Sequence, residues 1–117
     1  MSGSLTVATR NLLLDSLNLK TVQLHSSDPT ESGLVGVIPG ASNDFMVSSA
    51  TGGAVQSIGS IEIDINVTEN PVTVSHFSVW DGSSTPRLVA TGSLSSSQVY
   101  VASGKYTVNT LTIDLNI

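Results

Sequence analysis

The chain has no cysteine, and that absence removes disulfide frameworks, thiol nucleophiles and thiolate zinc sites at once. It also has little charge: 11% of its 117 residues are Asp, Glu, Lys or Arg, about half of ordinary usage. Only Arg10, Lys20, Arg87 and Lys105 are basic, against nine acids, and the net charge is −5. Four cations cannot neutralise a row of phosphates, so nucleic acid is not an expected partner. Five aromatics, Phe45, Phe77, Trp80, Tyr100 and Tyr106, are too few for a large aromatic ligand pocket. No apolar run approaches the 18 residues of a membrane span, and Met1-Ser2-Gly3-Ser4 carries neither a basic start nor an apolar signal core. The expectation is a protein made in a cytoplasm and soluble there, with no membrane partner.

What is present is hydroxyl and β-branched: 20 Ser, 12 Thr, 14 Val and 7 Ile. Uncharged hydroxyls supply the polar surface, and Val and Ile favour pleated, half-buried positions. At this length a single domain over 1–117 is expected, large enough to bury a core without a staple.

One helical pattern stands at the start. Leu5, Ala8, Leu12, Leu13, Ser16 and Leu17 recur at three- and four-residue spacing with Arg10, Asn11, Asp15 and Asn18 between them, so an amphipathic helix over about 5–19 is expected, capped by Ser4. The stripe of leucines would be its packed face. From Lys20 the period changes to two. Val22 and Leu24 alternate with polar neighbours and end at the turn Ser26–Gly33. Leu34 to Asn43, with Gly36, Pro39 and Gly40, reads as an extended loop whose Leu34, Val35, Val37 and Ile38 form a candidate interface. Phe45–Ala50 reads as a strand. Ile61, Ile63 and Ile65 against Glu62, Asp64 and Asn66 make the cleanest half-buried strand.

Val72 to Trp80 changes phase near Ser75-His76, which requires a bulge or burial on both faces and places the strand centrally. Leu88–Thr91, Gln98–Val101 and Tyr106–Asn109 read as short strands, with Gly92-Ser93 as a turn, and Leu111 to Ile117 as the last strand. About seven or eight short strands between turn clusters predict an all-β, antiparallel β-sandwich with one N-terminal amphipathic helix.

Catalytic constellations are weak. The only imidazoles are His25 and His76, there is no G-x-S-x-G elbow, and adjacent Ser75 and His76 should point to opposite faces of a strand. An enzyme would need one of these histidines in a cleft beside Asp or Ser. Glu62 and Asp64 lie about 7 Å apart on one strand face, the pattern of a solvated face more than of a paired-carboxylate site. Asp28, Pro29 and Glu31 lack the twelve-residue calcium pattern, so Asp28 is expected to accept from backbone amides after Pro29. Asn66-Val67-Thr68 matches a glycosylation acceptor by three residues only. No cofactor or metal is expected, and no catalytic residue is assigned.

Two segments resemble a family of small virion proteins of tailed bacteriophages. Val22-Gln23-Leu24-His25-Ser26-Ser27-Asp28-Pro29 is similar to that family's V-x-L-H-T-x-D-P opening, and Val74-Ser75-His76-Phe77-Ser78-Val79-Trp80-Asp81 to its V-T-H-F-G-L-W-D segment. A Leu88–Ser95 stretch and a terminal Leu-Thr-Ile-Asp-Leu follow in order, while Gly33 to Ala54 lacks the Tyr-x-Arg segment of many relatives. The resemblance implies a non-enzymatic structural part of a virion, with His25, Asp28, Pro29, His76, Phe77, Trp80 and Asp81 as its structural motif.

Without a coiled-coil shaft or repeats, a compact domain suits a head decoration protein, partnered by the major capsid protein and by further copies of itself, with a trimer the expected arrangement. The alternative is a tail-fibre, tail or collar part with a carbohydrate-binding role, which would need Trp80 exposed beside Tyr100.

Overall fold

The computed structural model describes residues 1 and 3–115. Among the described residues, helix α1 (Val7–Ser16) is followed by eight strands: β1 (Leu19–His25), β2 (Val37–Asp44), β3 (Ala54–Gln56), β4 (Ile61–Ile65), β5 (Val72–Asp81), β6 (Leu88–Tyr100), β7 (Gly104–Val108) and β8 (Thr112–Asp114). All pairings are antiparallel: one sheet in the order β2-β1-β5-β6, and two ribbons, β3-β8 and β4-β7. The architecture is the expected all-β sandwich-like fold with one short N-terminal helix.

Alternation builds the core. Val22 and Leu24 of β1 and Val79 of β5 sit on the inner face of the sheet, and Ile61, Ile63 and Ile65 of β4 face them from the second layer with Val55 and Ile113. All eight are under 10% exposed. Full burial of each such side chain contributes about 1.5–3 kcal/mol of hydrophobic stabilisation before entropy is counted.

Strand β5 has a partner on each side, and its register with β6 shifts between Val74 and His76, where β6 carries Leu94 to Ser97 as extra residues. The shift accompanies the phase change: Val74 and Val79, of opposite parity along β5, are both fully buried. It also corrects one expectation. Ser75 and His76 do meet, with Ser75 Oγ and His76 Nδ1 2.8 Å apart, because the strand is irregular at this point.

Gly92 corrects another. It does not turn the chain but lies inside the continuous β6, opposite Phe77. A Cβ there would stand 2.7 Å from Cε1 and Cζ of the Phe77 ring, so glycine is what lets the aromatic lie flat across the neighbouring strand. Gly92→Val is expected to lose about 1–3 kcal/mol by overpacking, read as a lower urea midpoint at unchanged slope. An unchanged midpoint would mean the ring moves aside freely.

Three further expectations are revised. Val37–Asp44 is a strand rather than part of a loop, paired to β1 despite Pro39 because β2 is the sheet edge, where a missing amide is tolerated. Phe45–Ala50 contributes only the isolated bridge Val47–Ser57. The last strand is confined to Thr112–Asp114; the expected extension through Asn116 and Ile117 lies outside the described residues.

Candidate functional site

The β1–β2 loop folds back over the outer face of the sheet, and each turn in it has a cause. Thr30 N donates to Asp28 Oδ1 at 2.9 Å, the expected turn after Pro29, while Thr30 itself takes φ +62°. Ser26 N donates to Gly36 O and closes the base of the loop. Pro29 is buried, and Gly33, at φ +68°, presses on Trp80 and Leu88: a Cβ there would lie 2.9 Å from Trp80 Cζ2 and 2.8 Å from Leu88 Cδ1.

Under this loop runs a chain of hydrogen bonds. His25 Nδ1 lies 2.8 Å from Val35 O, His25 Nε2 2.7 Å from Ser78 Oγ, and Trp80 Nε1 donates to Ser78 Oγ at 2.9 Å. A carbonyl only accepts, so Nδ1 carries the imidazole proton; Nε2 then accepts from the Ser78 hydroxyl, which in turn accepts from the indole. A serine beside a histidine at 2.7 Å has the spacing of a nucleophile and its base. Both residues are 0% exposed, however, and the serine oxygen is already engaged by the indole, so no substrate atom reaches it. The pair locks the loop to the sheet.

At the C-terminal end of β5, next to Trp80, Asp81 organises the turn to β6. Its carboxylate accepts from Ser83 Oγ (2.6 Å), Arg87 N (2.8 Å) and Arg87 Nε (3.0 Å). The Ser83 hydroxyl foremost, then the Arg87 amide, hold the carboxyl well below the usual carboxylate range, against the opposing effect of burial. A group with a lowered folded pKa stabilises fully above its unfolded value, about 3.9, and loses that contribution as pH falls toward the folded value. The urea midpoint is therefore expected to drop from pH 5 to pH 2, and Asp81→Asn to drop less over the same interval. Parallel profiles for the two proteins would remove Asp81 from the acid response.

The remaining polar candidates are surface features. Lys105 Nζ stands 3.4 Å from Glu62 and 3.8 Å from Asp64, all three side chains at least 60% exposed, which makes these bridges worth little. No group of three or more metal-ligating side chains, and no helix long and apolar enough to span a membrane, occurs among the described residues. A cleft of about 400 Å³ opens between β6 and Tyr106–Thr112; Val22 and Leu24 form its floor, and Ser, Thr and Asn its rim, with no carboxylate, imidazole or cation. Trp80 and Tyr100 do not share a face patch: Trp80 pairs with Leu88 at one end of β5 and Val72 with Tyr100 at the other. The Tyr100 hydroxyl donates to Lys105 O, and burial raises its pKa, with Tyr106 adding to the effect.

Exposed apolar surface is the distinctive feature. Leu34 (69% exposed) and Val35 project from the β1–β2 loop and Val37 from the start of β2, whereas Ile38 is 5% exposed and belongs to the core, so it drops out of the candidate set.

The helix is inverted relative to its sequence reading. It starts later than expected, with Thr6 as N-cap accepting from Thr9 N, and ends at Ser16. Its polar side faces the protein: Arg10 Nη1 donates to Leu115 O, Asn11 Oδ1 accepts from Gly53 N and Asp15 Oδ1 from Ala50 N. Only Leu14 is buried, while Leu5, Leu12 (70% exposed), Leu13 and Leu17 face outward. Sequence periodicity found the stripe but not its direction, which is set by backbone amides of the Ala50–Gly53 turn that no pattern announces.

Comparison of the chain with protein-family models, with curated proteins and with solved structures returns no match.

Proposed function

We propose that the chain is a non-enzymatic structural component of a tailed-bacteriophage virion, bound as a decoration protein to the outside of the head shell. The observation that carries this reading is the display of two uncharged apolar surfaces, the leucines in and beside α1 and the Leu34–Val37 segment, on a rigidly locked sandwich-like scaffold. Such surfaces on a small chain mark contact with other proteins. The resemblance segments support it in a second way. His25, Asp28, Pro29, Phe77, Trp80 and Asp81 shape the loop, the sheet and the turn, and none of them projects a reactive group into an open cleft.

Low charge fits the same role, since copies arrayed side by side repel one another little. The partners in this reading are the major capsid protein and neighbouring copies. The test is the copy number in purified particles by quantitative mass spectrometry. Hundreds of copies that stay with empty heads are expected. A few copies lost with the tails would make the chain a tail or collar part, and absence from particles would overturn the virion reading.

A further inference from the structure

We propose that the cleft between the two layers, beside the free edge of β6, binds a ring of a neutral saccharide. The inference rests on the cleft itself and stands whether or not the chain belongs to a virion.

The cleft exists because the sandwich does not close on this side. Phe77 pairs with Leu24 across β5 and β1, and Tyr106 pairs with Ile63 across β7 and β4, so both rings share the strand faces that carry the core. Yet Phe77, Leu94, Tyr106 and Val108 are only half-buried, and all four line the same opening of about 400 Å³. That size falls within the roughly 300–1,000 Å³ of small-molecule sites. Inward-facing apolar groups left open to water in both layers form a gap, with one aromatic ring on each side of it.

The Phe77 ring is held as a platform. It lies over Gly92, where any Cβ would stand 2.7 Å from Cε1 and Cζ, and the wall of the cleft resumes at Ser93 and Leu94. The negative face of an aromatic ring attracts the slightly positive C–H groups that a pyranose presents on its apolar face.

Polar groups for the hydroxyls of a sugar stand around the rings. Ser93 and Ser95 of β6, Asn109 and Thr110 after β7, and Thr112 of β8 are exposed at the rim. The hydrogen bonds of this region run elsewhere, from the Tyr100 hydroxyl to Lys105 O and from Leu111 N to Ser57 Oγ, and leave those side chains uncommitted among the described residues. Strand β6 pairs with β5 alone, so its outer main-chain groups have no strand beside them.

The lining selects the ligand class. With no cation, a phosphate or an acidic sugar meets no counter-charge; with no carboxylate or imidazole, an amine or a metal ion meets none either. A wholly apolar ligand would cover the polar rim without bonding it. An added peptide strand needs a regular edge, and β6 is irregular here, with Leu94 to Ser97 outside its register with β5. A neutral molecule with hydroxyls around an apolar ring face meets all of these conditions.

The test is NMR titration of the isotope-labelled chain with glucose, galactose, mannose, rhamnose and N-acetylglucosamine, each to tens of millimolar, with glucuronic acid as the charged comparison. At least one neutral sugar is expected to give saturable amide shifts centred on Ser93–Ser95 and Tyr106–Leu111, with glucuronic acid binding more weakly. Tyr106→Leu and Asn109→Ala are each expected to weaken that binding at least ten-fold. Asn109 is exposed and its side chain is uncommitted, so an unchanged melting temperature for Asn109→Ala keeps the comparison valid even where Tyr106→Leu loses stability.

No saturable shift with any neutral sugar overturns the proposal, and so do shifts centred elsewhere, binding unchanged in Asn109→Ala, or glucuronic acid binding as tightly. A capped, uncharged Ser/Thr/Val peptide that saturates the cleft where the sugars do not would assign it to an extended segment, which also overturns the proposal. Failure here leaves the particle count as it is, and absence from particles leaves the titration as it is.

Discussion

Replacement of Ser78 by Ala is expected to cost about 2–4 kcal/mol of stability, far more than loss of one hydroxyl from a surface strand, because it strands two partners at once. Ser78 Oγ gives its proton to His25 Nε2 and takes one from Trp80 Nε1, at 2.7 and 2.9 Å. Alanine leaves the imidazole nitrogen without a donor in a site with no solvent exposure, and leaves the indole N–H without an acceptor. A buried polar group deprived of its partner costs about 1–3 kcal/mol.

The consequence should extend beyond stability. His25 Nδ1 holds Val35 O, and Val35 neighbours Leu34 on the displayed loop. The variant is expected to show a lower urea midpoint, an indole N–H resonance shifted toward its free position, and faster amide exchange at Val35 and Gly36. A midpoint within about 0.5 kcal/mol of the parent, the range of ordinary surface substitutions, would mean that water replaces the hydroxyl and that the loop is held by Pro29 and Gly33 instead.

Ser78 was not legible in the sequence, and the reason is physical. Alternation identifies which residues of a strand share a face, so Ile61, Ile63 and Ile65 declare themselves, as do Val22 and Leu24. It does not give the register between strands whose hydrogen-bonded residues His25 and Ser78 are 53 positions apart. Ser78 meets His25 only because β1 and β5 pair with Gln23 opposite Ser78 and His25 opposite His76. A serine among 20 carries no local signal of that pairing.

Gly92 misled for a related reason. Glycine between polar neighbours reads as a turn, and what calls for it is a ring on the adjacent strand. The candidate interface was legible in part: glycines and Pro39 marked the Leu34–Ile38 region as unusual, but the burial of Ile38 follows from the pairing of β2 with β1, which Pro39 argued against.

The helix provides the sharpest separation between pattern and packing, and it leads to the second large effect. By periodicity Leu12 belongs to the packed stripe; by contact Leu14 does. Leu14 is 4% exposed and is the one buried residue of α1, whereas Leu12 is 70% exposed. Leu14→Ala is therefore expected to cost about 2–3 kcal/mol, at the lower end of the range for leucine in a core, since a site at the edge of the molecule can collapse around the gap. Leu12→Ala, which removes surface already in water and substitutes the best helix former, is expected to change stability by less than about 0.5 kcal/mol in dilute solution.

The ratio decides between two arrangements of the same ten residues. If Leu12→Ala proves the costlier, the leucines point inward, and the bonds of Asn11 to Gly53 and Asp15 to Ala50 do not form. If Leu14→Ala is the costlier, the helix is held by one leucine and three polar anchors. It then contributes little to the core for its length, and Leu12, Leu13 and Leu17 stand on its solvent side.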